Sequence, residues 1–382
     1  MAPERDRSID VLILTFPADW HAIVVDQALA RKGVNSLRWL GTGFSSDQVG
    51  TFEISDRISD NFEIRDSGTS INSRNVRTVW ARRPTFPVPN GDVIDSDKKH
   101  VVQENCLFIQ GIWWQLSSSS KWVNRYSSRR FVKSKMNQLK TAKSVGFRIP
   151  DTIFSNDPDR IQPFLSRLGE KGGIYKPHRV SEWVEGGSRH LLHCANVDNV
   201  NDISDIELSM CAGIFQERIE KAYELRIHVL GGFCLSVKID SQITSEGRQD
   251  WRSASPEHLA LEEVRIPEAW EDKCMELVKR LGLSFGIIDA IVTPSDDIVF
   301  LEINEMGQFL WIEGANPEIR MLDHFCRFLS AENPDLYDGS SNGVPTPYSD
   351  IRTESSAREI YDCELASMAP PDVSVEWIDV LV

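Results

Sequence analysis

Two carboxylates and one amide near residue 300 have the types and spacing of a magnesium site. Asp289 lies in the apolar run Phe285 to Thr293, while Glu302 and Asn304 lie in the run Ile298 to Asn304. The Pro-Ser-Asp-Asp sequence between the runs predicts a hairpin, because Ile, Val and Phe favour strands and Pro and Asp favour turns. A four-residue turn places Asp289 directly opposite Glu302, which destabilises the pair unless a cation, a shared proton or a basic partner compensates. Such hard oxygen ligands suit Mg²⁺ bound together with substrate phosphates.

The same hairpin has a second interpretation. Because side chains alternate along a strand, Glu302 and Asn304 are expected on one face with Phe300, and Leu301 and Ile303 in a core on the other. If the first face were half-solvated, its acidic residues would simply face water. The hairpin alone leaves both interpretations open.

Composition restricts the class of protein. With 382 residues, two or three domains and a sizeable core are expected. The formal net charge of −15 argues against a general binder of nucleic acid or anionic membranes. The seven Cys include no CxxC pair, which predicts reduced thiols and neither a zinc site nor a disulfide frame. The N-terminus has no apolar signal core and no run reaches membrane-spanning length, so a cytoplasmic location is expected.

The elements that must position these residues follow from periodicity. A βαβ opening is predicted from a strand at Val11 to Phe16, a helix at Trp20 to Lys32 and a strand at Val34 to Leu40. A helix over Asp97 to Leu116 ends at a polar break, Ser117 to Ser120, where the first domain is expected to end. The further predicted elements are a basic amphipathic helix at Phe131 to Val145, a strand at Thr152 to Ser155, a helix at Asp157 to Leu168, strands at Gly172 to Pro177 and Ile214 to Ile219, a helix at Pro267 to Leu281 and a helix at Glu318 to Leu329.

A two-residue Gly-Gly turn is predicted between the strands Tyr223 to Leu230 and Phe233 to Asp240. It places Arg226 opposite Val237, so that Arg226 and Lys238 fall on opposite faces of the sheet. Both could reach one site only through a bulge or a twist.

Several motifs, in order and spacing, resemble those of the ATP-grasp ligases and, more narrowly, of the graspetide (microviridin-type) synthetases that crosslink ribosomally made peptides. The stretches that carry the resemblance are WVNRYSSRRFVKSKMNQLKTAKSVGFRIPDTIFSN, GIYKP, FQERIEKAYELRIHVLGG, VKIDSQ with DWR, and FGIIDAIVTPSDDIVFLEINEMGQFLWIE. The narrower assignment rests on ARRP, DWR and the Gly307-Gln308 run.

This resemblance implies an α/β (α+β) ATP-grasp fold. The implied domains are an N-terminal α/β pre-ATP-grasp domain at 1–120, a central domain with the ATP lysines and a peptide-docking surface at 121–210, a C-terminal ATP-grasp domain with the metal site at 211–331, and a linker with an acidic tail at 332–382. The tail is expected to be mostly disordered, because it is acidic and polar.

The resemblance also implies a role for each matching residue. Lys135 and Lys176 would hold ATP phosphates, Gln216, Glu217, Arg218 and Ile219 would form the adenine hinge, Arg226, Lys238 and Arg252 would hold the γ-phosphate and the substrate carboxylate, and Asp289, Glu302 and Asn304 would bind Mg²⁺. The family often has Asn-Pro after the metal Glu, whereas here Asn304 is followed by Glu305.

The implied activity is ATP-dependent ligation. The enzyme would phosphorylate Asp or Glu side chains of a precursor peptide and join them to Ser, Thr or Lys as macrocyclic esters or amides. Phosphoryl transfer requires that the substrates are positioned and that their charge is neutralised, which these cations and metal ligands supply. The implied partner is a peptide with a leader and an acidic, hydroxyl-rich core; no nucleic acid or membrane is expected, and a homodimer is left open. Two alternatives remain: an ATP-grasp amino-acid or small-peptide ligase, and a catalytically inactive nucleotide-binding peptide scaffold.

Overall fold

The computed structural model describes residues 8–45, 48–66, 68–87, 91–179, 181–186, 188–192, 194–197, 203–243, 247, 251–253, 255–340 and 343–368. The chain forms two compact units. Unit 1 comprises Met1–Val123, Leu322–Glu332 and Asn342–Val382, and unit 2 comprises Asn124–Met321 and Asn333–Ser341.

Strands and helices are mixed throughout, which confirms the predicted α/β (α+β) class. The strands are β1 (Ile9–Thr15), β2 (Ser36–Leu40), β3 (Gln48–Ser55), β4 (Ile58–Asp66), β5 (Thr69–Asn72), β6 (Val76–Ala81), β7 (Lys121–Val123), β8 (Thr152–Ser155), β9 (Gly173–Lys176), β10 (Ser181–Glu185), β11 (Ser188–Leu192), β12 (Ala195–Val197), β13 (Gly213–Glu217), β14 (Tyr223–Leu230), β15 (Phe233–Asp240), β16 (Ala260–Val264), β17 (Phe285–Val292) and β18 (Ile298–Asn304). The helices are α1 (Trp20–Arg31), α2 (Asp95–Ser119), α3 (Tyr126–Lys133), α4 (Lys135–Val145), α5 (Pro158–Leu168), α6 (Asp205–Met210), α7 (Glu268–Arg280), α8 (Leu310–Ala315), α9 (Met321–Ser330), α10 (Tyr348–Arg352) and α11 (Ser355–Ser367).

Unit 1 is built on a parallel sheet with the strand order β2-β1-β6-β7, and a β3-β4-β5 meander accompanies it. The βαβ opening is confirmed, since β1 pairs with β2 in parallel through α1. Buried apolar residues fill both β1 and the inner face of α1. Strand β7 completes the sheet, so unit 1 extends three residues beyond the end expected from the sequence.

The end of the chain contributes two helices to unit 1. Helices α10 and α11 both contact α1. The Trp20 indole N–H donates to the Tyr348 hydroxyl at 3.0 Å, and Trp20 meets Tyr361 edge to face at 5.8 Å. Arg38 donates to Glu364 at 2.7 Å. The expectation of a mostly disordered tail is therefore wrong for α10 and α11, because aromatic packing and this ion pair order them; residues 369–382 lie outside the described residues.

The predicted basic helix from Phe131 to Val145 is two helices, α3 and α4. Ser134 separates them in an extended conformation with φ −77° and ψ 113°. Its side chain accepts a hydrogen bond from the Asn137 N–H at 3.4 Å and so caps the start of α4. This break places Lys135 at the first position of α4.

Unit 2 contains two antiparallel sheets, ordered β12-β9-β13-β8 and β16-β15-β14-β17-β18, and a β10-β11 hairpin. Strand β13 shares a sheet with β8 and β9, so this sheet crosses the border expected at residue 210. The five-stranded sheet packs one face against α4 and α7 in a large apolar core. The two-residue turn between β14 and β15 is confirmed, with Gly231 at φ 59°. The other face of the five-stranded sheet carries the polar residues Glu224, Arg226 and Asp289 among buried apolar ones such as Ile287 and Ile291.

A β-bulge in β18 decides which side chains reach that polar face. Val292 pairs with Ile298, so the turn has five residues where the sequence predicted four. The register then shifts by one residue at Leu301, which brings Asp289 opposite Glu302. The predicted pairing is confirmed, although it arises from a longer turn and a bulge together.

The predicted faces of β18 are wrong in part, and the bulge is the reason. Phe300 and Ile303 both lie in the apolar core, whereas Leu301, Glu302 and Asn304 line the cavity on the other side. A regular strand would have kept Phe300 and Glu302 on one face.

Candidate active site

Unit 2 contains a cavity of about 1710 Å³ that is open to solvent. Its lining includes the predicted site residues Lys135, Lys176, Gln216, Glu217, Arg218, Ile219, Arg226, Arg252, Asp289, Glu302 and Asn304. The volume exceeds the roughly 300–1,000 Å³ of ordinary small-molecule pockets. The cavity therefore has room for a nucleotide and for a segment of a second substrate.

Asp289 and Glu302 form the acidic centre of the cavity. Nη1 of the buried Arg226 donates to Asp289 Oδ1 at 2.7 Å. Nη2 of Arg252 donates to Asp289 Oδ2 at 3.0 Å and to Glu302 Oε1 at 2.9 Å. The like charges on the facing strands are thus compensated by basic partners, which is one of the three solutions expected from the sequence.

Lys135 completes this charge cluster. As the first residue of α4 it places a cation at a helix N-terminus, which the helix dipole disfavours. Its ammonium donates to Glu302 Oε2, so that carboxylate offsets the unfavourable position. Burial alone would raise the pKa of Glu302, but Lys135, Arg252 and Lys176 outweigh burial and hold that pKa below its usual 4.5.

Lys176 lies across the cavity at the end of β9. Its ammonium donates to Gln216 Oε1 at 2.9 Å, and the Gln216 amide in turn donates to the Thr152 hydroxyl at 2.9 Å. Burial lowers the pKa of Lys176, and the charges of Lys135 and Arg252 lower it further against the attraction of Glu302. Because burial and the neighbouring cations disfavour its charged form, the Lys176 ammonium would be stabilised by a polyanionic ligand.

The segment after β13 is the stretch predicted to hold adenine. The Glu217 and Arg218 N–H groups donate to the carbonyls of Asp151 and Gly172, at 2.8 and 3.1 Å. Ile219 lines the cavity, and its N–H has no hydrogen-bond partner among the residues described. A nucleobase edge could therefore bind to this backbone group.

Asn304 is already engaged with its own turn. Its Oδ1 accepts from the Met306 N–H at 3.1 Å and from the Gly307 N–H at 3.0 Å. The amide therefore holds the chain that leaves β18, and it must reorient to offer this oxygen to a metal.

Lys238 does not lie with the other predicted residues. The confirmed pairing of Arg226 with Val237 turns Lys238 to the opposite face, where its ammonium lies 4.8 Å from the centroid of the Tyr223 ring. The bulge that could have brought the two cations together occurs in β18 and not in β15. For this reason the structure does not bring Lys238 together with the other predicted site residues.

The donor set of the acidic centre fits Mg²⁺. No group of three or more His, Cys, Asp or Glu side chains suited to a metal occurs among the described residues. Mg²⁺ is commonly held by one or two carboxylates with substrate phosphates as the other ligands. Asp289 and Glu302 face each other and already require cations, so they match this pattern.

Comparisons with known proteins agree with this geometry. Residues 10–130 match the model of the MvdD pre-ATP grasp domain. The macrocyclase MdnC of Microcystis aeruginosa, solved with the precursor peptide MdnA, is 27% identical and has a TM-score of 0.69, over 84% of this chain and 98% of MdnC. The chain is an ATP-grasp ligase.

This ligase shares its fold with other solved structures as well. A RiPP-associated ATP-grasp ligase of Chryseobacterium gregarium, solved with ADP and a leader and core peptide, is 24% identical, with a TM-score of 0.74 over 84% of this chain and 96% of that one. PsnB, solved with a minimal precursor, Mg and ADP, shares the fold at 19% identity and a TM-score of 0.66, over 87% and 99% of the two chains. No curated protein matches the sequence. Among the described residues, no helix has the length and apolar character needed to cross a membrane.

Two tryptophans of the ligase's site were missed from the sequence. Trp251 and Trp311 both line the cavity, and their rings stack at 4.7 Å with an angle of 21° between the planes. The only sequence signal was the position of Trp251 directly before Arg252. Their spacing of sixty residues along the chain gave no indication that they meet.

Proposed function

We propose that this ligase binds Mg²⁺ and ATP in the unit 2 cavity, phosphorylates an Asp or Glu side chain of a precursor peptide, and joins it to a Ser or Thr hydroxyl or a Lys amine. The observation that carries the proposal is the carboxylate pair Asp289 and Glu302, compensated by Arg226, Arg252 and Lys135 inside one large cavity. Similarity to a macrocyclase solved with its precursor peptide supports ATP-dependent peptide ligation.

The binding residues divide by charge. Asp289 and Glu302 would hold Mg²⁺, which supplies charge neutralisation at the phosphates when bound. Lys135 and Lys176 would then bind phosphate oxygens, so Lys135 exchanges its carboxylate partner for the nucleotide. The hinge from Gln216 to Ile219 would hold the adenine.

The chemistry proceeds in two balanced steps. A carboxylate oxygen of the peptide attacks the γ-phosphorus, the bond to the β–γ bridging oxygen breaks, and ADP leaves. A hydroxyl or amine then attacks the carbonyl carbon of the acyl phosphate, inorganic phosphate leaves, and the nucleophile loses its proton. Arg226 and Arg252 would orient the acidic side chain and stabilise the charge that develops at the phosphoryl group.

The test is the intact mass of peptides encoded by small neighbouring reading frames after incubation with the chain, ATP and Mg²⁺. We expect the loss of one water for each bond formed, and we expect Glu302→Gln to abolish it. Glu276→Gln is the matched control, because this exposed carboxylate on α7 pairs with Arg280 at 2.6 Å and does not line the cavity.

Two results would contradict the proposal. Mass gain by one amino-acid residue would indicate an amino-acid ligase. Bound ATP without any joined product would indicate a nucleotide-binding scaffold.

A further inference from the structure

The stacked pair Trp251 and Trp311 lies directly beside the two arginines of the site. Trp251 belongs to a short 3₁₀ helix, Trp251–Ser253, and Trp311 belongs to α8. Although Trp251 lies in a connection between strands, its side chain is buried, with 8% of the residue exposed. The stack therefore fixes the backbone position of this short helix against α8.

One carbonyl ties the stack to Arg226. The Trp311 indole N–H donates to the Gln308 carbonyl at 3.1 Å. The same oxygen accepts from Arg226 Nη2 at 3.2 Å. The guanidinium carbon of Arg226 lies 5.3 Å from the Trp251 ring centroid and 6.0 Å from that of Trp311, within the range of cation–π attraction.

The same stack determines where Arg252 can reach. Arg252 follows Trp251 directly, and its guanidinium carbon lies 5.1 Å from the Trp251 ring centroid. From this position its Nη2 reaches both Asp289 and Glu302. A change in the stack would therefore move the guanidinium of Arg252 away from the acidic centre and remove aromatic contacts of Arg226, which would then be held mainly by Asp289.

We propose that Trp251 and Trp311 are positioning residues, which hold Arg226 and Arg252 on one wall of the cavity so that both face the acidic side chain of the peptide. This inference rests on the proposed function for the identity of the ligand. Neither tryptophan needs to touch the reacting atoms. Aromatic faces suit this task because they attract two neighbouring cations without neutralising either one.

The first experiment measures the reactivity of each arginine in the full chain. Phenylglyoxal modifies accessible guanidinium groups, and peptide mapping by mass spectrometry reports each site. We expect Trp311→Leu to increase the modification rate of Arg252 several-fold, and Trp311→Phe to restore most of the protection. Trp114→Leu is the control, because Trp114 is 50% exposed on α2 in unit 1.

The second experiment measures steady-state kinetics with a peptide that the wild-type chain joins. Loss of positioning should raise KM for the peptide or lower kcat between about tenfold and 100-fold, whereas the affinity for ADP, which lacks the γ-phosphate, should change less than about twofold. If Trp311 had only a structural role, its substitution would lower the melting temperature and leave KM and kcat of the folded enzyme unchanged. If Trp311→Leu does not fold, Trp311→Gln takes its place, because it also removes the aromatic ring at this partly exposed position.

The two failures are distinguishable. Equal Arg252 reactivity in Trp311→Leu and Trp114→Leu would overturn the positioning role. A wild-type chain that joins no peptide would overturn the proposed function, irrespective of the labelling result.

Discussion

Two ion pairs in unit 2 have the same length and opposite surroundings, which allows the energetics of the site to be tested. The distance from Nη1 to the carboxylate is 2.7 Å both for Arg226 with Asp289 and for Arg148 with Asp297. The first pair has exposed side-chain fractions of 5% and 8%, and the second has 46% and 57%. The two pairs therefore differ strongly in burial, and Asp289 has a second basic partner in Arg252.

The perturbation is Arg226→Met, with Arg148→Met as its matched control. Removing one partner of a buried pair leaves an uncompensated charge and costs about 3–5 kcal/mol. Arg252 still donates to Asp289 at 3.0 Å, so the cost should lie near the lower end, about 3 kcal/mol. The exposed pair should cost no more than about 1 kcal/mol, because solvent screens it.

The assay is native-state hydrogen exchange at the amides of β14 and β17, which reports the free energy of opening of unit 2 alone. Because the chain has two units, a single global transition would mix their stabilities. We expect Arg226→Met/Asp289→Leu to recover much of the loss, since an apolar pair removes the buried charge. Equal costs for Arg226→Met and Arg148→Met would refute the reasoning.

Three further predictions concern the surroundings of the site. Gly307→Ala should destabilise the chain by about 2–4 kcal/mol in thermal unfolding, because Gly307 has φ 57° and a Cβ would lie 2.6 Å from Ile287 Cδ1; Gly33→Ala, with φ 73° and open space, should cost only about 1 kcal/mol. The pKa of Glu302 is lowered in the folded state, so its ion pairs stabilise unit 2 above pH 4.5 and are lost as the pH falls below that value. Glu302→Gln should therefore lose stability less steeply with acid, as measured by circular dichroism. An unchanged slope would contradict this. Gln216→Leu should weaken ATP binding about tenfold in a calorimetric titration, because Lys176 loses its neutral acceptor, and an unaltered Kd would count against a role for this contact.

The sequence predicts the acidic centre because opposite positions on a hairpin follow from turn length. In this chain two departures from ideal geometry cancel. A five-residue turn moves the register one way and the extra residue Leu301 moves it back, so Asp289 meets Glu302 as expected. Neither departure has a local signal, since Leu301 favours a regular strand as well as a bulge.

Other features depended on contacts between distant residues. The residues around Ser134 are compatible with a helix interior and with a helix cap. Only the structure shows that Ser134 ends one helix and starts the next. The acidic tail lacks apolar periodicity, and its order comes from partners such as Trp20 and Arg38, more than 300 residues earlier in the chain. Tertiary contacts of this kind cannot be inferred from local propensity.

The assembly of unit 1 from three separate stretches affects how the protein is made. Its sheet and α1 leave the ribosome first, yet α10 and α11, which contact α1, are synthesised after the whole of unit 2. At roughly 5–20 residues per second, translation from residue 124 to residue 368 takes on the order of 10–50 s. During that interval the surface of α1 that later receives Tyr348 and Tyr361 is uncovered. Synthesis of unit 1 therefore starts before that of unit 2 and is completed after it. A nascent chain stalled within unit 2 exposes this surface of α1 to chaperones.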